Sequence, residues 1–407
     1  MKKDKCILAL VFTVICCLFG CNKWFKSSNI SEKQVGTDEN IILFIPTEED
    51  EKLFFFDLSS LIDTIKYVKL EFSDQSIIGA IGKIIVFEDH IYIFDVQTYS
   101  LFVFDMNGNY LHKIDKKGQG PGEYIQLDFF DIDKENKHIV LTDLMSYWVM
   151  RYDLDGNFLS RQKIPVWCEG VSILPDKGVV LYANFRNNTE KLAQEYNLIY
   201  LDSTMNYQQA YFKYNSKDID QRKIPSTSTS GHFYSFEDHI NFSFPGGNTV
   251  YQILEDSLVS KYQFDFGKEV LPHPTNYEKF IEKTANTNKY NGFWGPVMET
   301  DNLIFYSMRT NIYPILSKVY FSKNSNNMLS SVVYMIENGF SLDIPLTGYD
   351  SWIVSEIQAY QLVEWKNALS KEKKESAGRY TKARLSLAEE LTDEDNPVLM
   401  FYKLKPF

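Results

Sequence analysis

Apolar residues along this chain fall into short runs rather than long stripes. Ile91-Tyr92-Ile93-Phe94 stops at Asp95, and Leu101 to Phe104 stops at Asp105, just ahead of Asn107-Gly108. Short runs rich in β-branched and aromatic residues, bounded by Asp, Asn and Gly, predict strands joined by tight turns. The same grammar returns without a gap. "DVQTYSLFVFDMNGNYL" (95–111) aligns with "DLMSYWVMRYDLDGNFL" (143–159), with Asp95/Asp143, Tyr99/Tyr147, Asp105/Asp153, Gly108/Gly156, Asn109/Asn157 and Leu111/Leu159 identical. Strand repeats of roughly 40–50 residues point to a β-propeller, whose closed ring leaves few free sheet edges. Fainter copies follow at 175–212, 235–264 and 298–335. A sixth unit requires "IKYVKLEF" (65–72), "SLDIPL" (341–346) and "VLMFYKLK" (398–405) to build one blade together. The expected fold is therefore all-β, a six-bladed β-propeller over residues 41–407.

Two stretches break the strand pattern. "TNYEKFIEKTANTNKY" (275–290) has helical composition, and residues 355–391 read as two helices separated by Ser376-Ala377-Gly378. They are expected to pack on the propeller's side or cap one mouth, a lid or partner surface being the alternative.

"GQGPGEY" (118–124) raises the question of a phosphate loop. Such a loop needs GxxxxGK[ST] or GxGxxG between a strand and a helix. This motif reads GxGxGE and leads into another strand. Gly118, Gly120, Pro121 and Gly122 are therefore expected to turn the backbone from an outer strand back to the axis. GxGPGEY followed by a strand, and then by the Asp…Tyr-Asp-x-Asp-Gly-Asn pattern, resembles the NHL-repeat propellers. More narrowly it resembles the six-bladed β-propeller lipoproteins of Bacteroidetes. "SSLIDTIKYVKLEFSDQSIIGAIGKI" (59–84), "DEDNPVLMFYKLK" (393–405) and the N-terminal segment share in this. The resemblance implies a propeller in the cell envelope and leaves its biochemical role open.

That N-terminal segment opens Met1-Lys2-Lys3-Asp4-Lys5, continues as an apolar run from Cys6 to Phe19, and reaches Gly20-Cys21. A basic start, a short apolar core and a small residue before cysteine form a secretory signal peptide. The core is too short to span a bilayer, which takes about 20 apolar residues. Leu18-Phe19-Gly20-Cys21 resembles a lipobox, so residues 1–20 are expected to be removed and Cys21 lipidated. Residues 21–40 are polar and read as a tether. Surface-exported relatives of the family it resembles often carry acidic residues after the lipidated cysteine, and none stands among Asn22-Lys23-Trp24-Phe25-Lys26. The expectation is an outer-membrane lipoprotein facing the periplasm, with the cell surface as the alternative.

Charge narrows the partners. The net charge is −12, and removing Lys2, Lys3 and Lys5 with Asp4 makes it more negative. An acidic chain excludes nucleic acid, whose phosphates need a basic stripe. After processing only Cys168 remains as a free thiol, read as a buried small hydrophobe, so no disulfide or zinc signature is present.

Catalytic signatures such as GxSxG and HExxH are absent, and the six histidines do not stand at ligand spacing. No metal site and no cofactor is expected. The chain's 30 Phe, 26 Tyr and 6 Trp should mostly fill the space between blades. Those beside turns leading into first strands could face the channel instead. Tyr124, Asp128, Trp167, Glu169, His232 and Trp294 are the candidates, forming an amphipathic mouth for a glycan or a peptide. Two classes stay open: a non-catalytic binding or scaffold lipoprotein, or a lyase or hydrolase with a metal in the central channel.

Overall fold

A computed structural model describes residues 35–37, 55–185, 195–214, 232–244, 246–266, 292–309 and 316–407. The expected signal peptide, Cys21 and the 275–290 helix lie outside the described residues, as does most of the tether. The strands form a β-propeller of seven sheets. Sheet A is made of Thr347–Tyr349, Trp352–Ile357, Val398–Leu404 and Ile62–Lys69; sheet B of Ile81–Phe87, His90–Asp95, Ser100–Asp105 and Tyr110–Ile114. Sheet C comprises Phe129–Asp133, His138–Asp143, Trp148–Asp153 and Phe158–Lys163, and sheet D Gly170–Ile173, Val179–Tyr182, Tyr196–Leu201 and Tyr207–Lys213. Sheet E holds Phe233–Phe236, His239–Ser243, Thr249–Ile253 and Leu258–Gln263, with Gly36–Thr37 added in parallel at its outer edge. Sheet F holds Gly292–Glu299, Leu303–Arg309, Leu316–Ser322 and Met328–Ser331. First strands touch in the order A, B, C, D, E, F and back to A.

The expectation of six blades is corrected to seven sheets. Sheet G is the addition: three strands, Phe55–Asp57, Val333–Ile336 and Phe340–Leu342. "SLDIPL" was expected in the closing blade, but its first residues belong to this sheet, and sheet A takes Thr347–Tyr349 and Trp352–Ile357 in their place. Tyr334, Ile336, Phe340 and Leu342 of sheet G share one core with Phe305 and Tyr320 of sheet F and Tyr402 of sheet A.

Matching residues of the repeat do matching work. Asp95 Oδ1 and Oδ2 accept from the Ala80 and Gly79 amides at 3.0 and 2.9 Å, and Oδ1 accepts from Gln97 N at 2.9 Å. Asp143 accepts from Ile125 N at 2.8 Å and Ser146 N at 3.0 Å. Each carboxylate is wholly buried, and each ties the loop before a first strand to the loop after the second. Asp105 and Asp153 in turn accept from the backbone and side-chain amides of Asn109 and Asn157. Gly108 and Gly156, at φ +89° and +80°, supply the left-handed turn of those hairpins.

Three helices sit between the second and third strands of sheet A: α1 Ala359–Ala368, α2 Lys371–Glu375 and α3 Arg379–Glu389. Two were expected; Ser370 starts α2 by accepting from Lys373 N at 3.3 Å. Arg384 of α3 is wholly buried, its guanidinium 4.7 Å from the ring centres of Phe340 and Trp365. Its Nη2 donates to Glu337 O at 2.7 Å, fastening α3 to sheet G. No helix among the described residues is long and apolar enough to cross a membrane.

Closure depends on Val398–Leu404 pairing antiparallel with Ile62–Lys69, with Met400 opposite Tyr67. Asn396, buried just ahead of that strand, holds the next connection: its Nδ2 donates to Glu71 O and Ser76 O at 2.7 Å, and its Oδ1 accepts from Ile78 N at 2.9 Å. Alanine there strands three backbone groups, so Asn396→Ala should cost about 2–4 kcal/mol by urea denaturation. A loss below about 0.5 kcal/mol would show that the connection is held otherwise.

Candidate functional site

Antiparallel order places the start of each first strand beside the end of the second and the start of the third. Ile81 faces Asp95 and Asp95 faces Ser100; Phe129 faces Thr142 and Trp148 faces Asp143. These ends form one mouth of the propeller. A cavity of about 430 Å³ opens there, with walls including Phe94, Phe129, Phe130, Phe233 and Leu346 and with Asp128 and His232 among its polar groups. Lys83, Phe130's neighbour across sheets B and C, donates from Nζ to Phe130 O at 2.9 Å and stands over the Phe130 ring.

Burial sets the mouth's charge. Desolvation pushes the Asp128 carboxyl up to about 6, against hydrogen bonds from Leu144 N (2.7 Å) and Gln126 Nε2 (2.9 Å). It still carries a negative charge at neutral pH. Desolvation pushes His232 down to about 4, so its imidazole is neutral, set against the Tyr182 ring at 4.5 Å. Burial also opposes ionisation of Asp95, but its backbone and Thr98 hydrogen bonds prevail and hold that carboxyl low. The clamp is thus charged and satisfied, whereas the donors to Asp128 among the described residues are uncharged.

Deeper on the axis a second cavity of about 380 Å³ shares Lys83, Phe233, Pro296 and Leu346 with the first. Ser172 donates to Asp131 at 2.7 Å in its wall. Glu299 is buried there. Desolvation raises its carboxyl, but Lys323 (2.7 Å) and Lys261 (2.8 Å) outweigh it and hold the group low. Glu237, Asp238, Asp301 and Asp350 line the far end.

Of the sequence candidates, the structure brings Asp128 and His232 together. Glu169 is buried, its carboxylate accepting from Asn184 Nδ2 at 3.3 Å. Trp167 packs edge-on against Tyr147, with ring centres 6.4 Å apart. Trp294 lies in the first strand of sheet F, beside Gly295 and two residues before the cavity-lining Pro296. Tyr124 is wholly buried between sheets B and C, its hydroxyl donating to Tyr99 O at 2.9 Å and Ile114 O at 3.0 Å. Phe94 and Phe130 were missed because their strands, buried along almost their whole length, read as continuous apolar runs without a side that marks the axis. Lys83, Phe129 and Phe233 were missed because no residue pattern sets them apart from their neighbours. Among the described residues no group of three or more His, Cys, Asp or Glu is placed to hold a metal ion.

A family model for a domain of unknown function, DUF4934, matches residues 43–403. The chain belongs to the DUF4934 family. A crystal structure of a Bacteroides fragilis protein named as exported is similar at TM-score 0.68 and 19% identity, over 90% of this chain and 99% of that one. A DUF4221 member from Bacteroides vulgatus matches at TM-score 0.48 and 9% identity, over 85% and 98%. No curated protein matches. The first likeness supports the propeller fold.

In this DUF4934 chain the glycine corner is closely tied. Gly118 N donates to Tyr124 O at 2.9 Å, Tyr124 N to Lys116 O at 2.9 Å, and Gly120 N to Glu123 Oε2 at 2.8 Å. Gly120 O accepts from Arg161, and Gly122 O from the Tyr152 hydroxyl, so the corner rests on the outer half of sheet C. Gly122 sits at φ +72°, and a Cβ there would meet the Phe158 ring at 2.6 Å. A Cβ at Gly120 would meet only the end of the Glu123 side chain at 3.0 Å. Gly122→Ala should therefore cost about 2–4 kcal/mol and Gly120→Ala less than about 1 kcal/mol, measured by denaturant unfolding. Equal losses at both positions would contradict this account of the corner.

Proposed function

We propose that this chain is an envelope lipoprotein whose propeller binds a glycan or a peptide at the channel mouth without turning it over. The observation that carries the reading is the mouth cavity itself: apolar walls around a charged Asp128 and a neutral His232. Ligand pockets are commonly concave and mostly apolar, with a few placed polar groups. The signal-like segment and the Leu-Phe-Gly-Cys junction support a lipid anchor at Cys21 in the outer membrane, on its periplasmic face. A structural relative named as exported fits that location. Kinship with NHL-repeat propellers is part of the same proposal, supported by the aligned units at 95–111 and 143–159. The enzyme alternative, with a metal in the channel, has no donor set among the described residues.

Calorimetry with a glycan and peptide panel tests the reading. At least one class should saturate one site and be recovered unchanged, and Phe129→Ala should weaken it by about 1–3 kcal/mol, as loss of a contact anchor does. Turnover of the ligand, or binding indifferent to Phe129→Ala, would contradict it. Cys21→Ala should release the protein from membranes; a variant that fractionates with membranes as the wild type does would refute the anchor.

A further inference from the structure

The mouth carries more exposed apolar surface than the cavity alone. Ile77, Val96, Tyr99, Ile125, Met145 and Tyr147 are each more than a third exposed. All belong to the loops at the mouth end of sheets B and C: before the two first strands, and between the second and third strands. Val96 also lines the cavity, so the exposed set reaches the cavity's rim. Exposed apolar surface gathered on one face marks an interaction site more often than scattered apolar residues do.

The patch is built rather than loose. Tyr99 and Tyr147 hold left-handed backbone, at φ +54° and +58°, a conformation that residues other than glycine rarely adopt. Their carbonyls are fixed by the Tyr124 hydroxyl and the Ile164 amide. Asp95 and Asp143 clamp the loops on either side. Surface of this kind is organised before any ligand arrives.

Charge then selects the occupant. Across residues 76–80, 96–99, 124–128 and 144–147 the one charged side chain is Asp128. Its two donors are uncharged amides, and the ammonium that shares the cavity, Lys83, is engaged by Phe130. A glycan would need many hydrogen-bonding partners, and these loops present mainly hydrocarbon and aromatic faces.

We propose, building on the binding reading above, that the mouth takes an apolar protein segment bearing one positively charged side chain. The apolar residues lie across the loops of sheets B and C, and the cation meets the Asp128 carboxylate. The test uses the full processed chain and two acetylated, amidated fluorescent peptides, Ser-Leu-Phe-Lys-Leu-Phe-Ser and its glutamate counterpart, with maltoheptaose as a neutral glycan. The lysine peptide should bind at least about tenfold more tightly than the glutamate one, the scale of one charge contact. Ile125→Ser with Met145→Ser should weaken it about tenfold or more without moving the melting temperature, and Asp128→Asn should erase the lysine preference. Should the double variant unfold, Val96→Ser carries the same test. Equal binding of both peptides, silence of both, or no effect of the loop substitutions overturns the proposal. Maltoheptaose bound at the mouth with the peptides silent would leave the binding reading standing and this inference refuted. Silence of the peptides and of the whole glycan panel would sink both.

Discussion

The outermost strand of sheet A, Ile62–Lys69, comes from early in the chain, and its partner Val398–Leu404 comes from the end. Their antiparallel pairing is what converts a row of twisted sheets into a ring. Without it Val398–Leu404 would be an open edge of sheet A and Ile62–Lys69 would have no ladder partner, exposing backbone donors and acceptors. The closed row satisfies them and fixes how far apart the first strands stand. Lys405 N extends the same pairing to Leu61 O at 2.8 Å, and the buried Asn396 carries it into the loop that starts sheet B. The mouth cavity is therefore a consequence of closure as much as of the residues that line it.

Within the ring, carboxylates do much of the positioning. Asp95 and Asp143 are buried, yet they cost little, because each accepts several short hydrogen bonds from the loops it joins. Their location sets the mouth loops in one orientation. Asp128 differs: it faces the cavity, keeps fewer bonds and is pushed toward its neutral form by burial. One side chain type thus serves as a clamp where many donors meet it and lines a cavity where few do.

Much of this was legible in the sequence, for specific reasons. The gap-free match of 95–111 to 143–159 revealed the repeat because most of its identical residues have a geometric duty, from the buried Asp95 and Asp143 to the left-handed Gly108 and Gly156. The closing partnership of the two chain ends was legible as well. Sheet G was not, since its strands have three or four residues, too few for a period-two signal, and one of them pairs in parallel from a distant segment. Asp128 and His232 line the mouth cavity, as their places just ahead of first strands led one to expect, without that making them ligand contacts. Tyr124 was assigned to the mouth on the same rule, but the glycine corner before it leans on Phe158 and Arg161 of the outer strand of sheet C. The tyrosine ring therefore fills the gap between blades. The exposed apolar loops escaped notice because single apolar residues in turns carry no periodicity; only the fold gathers them.

Amide hydrogen exchange on the full chain tests most directly whether closure holds the mouth. The amides to follow are those of Ile62–Lys69 and Val398–Leu404, together with Gly79, Ala80 and Ile125, which donate to the buried aspartates. If the ring and the mouth are one cooperative unit, all of them exchange slowly, with a common opening free energy equal to that of global unfolding. Fast exchange in the two terminal strands, with Gly79, Ala80 and Ile125 still protected, would show that the mouth stands without the closure and would contradict the account.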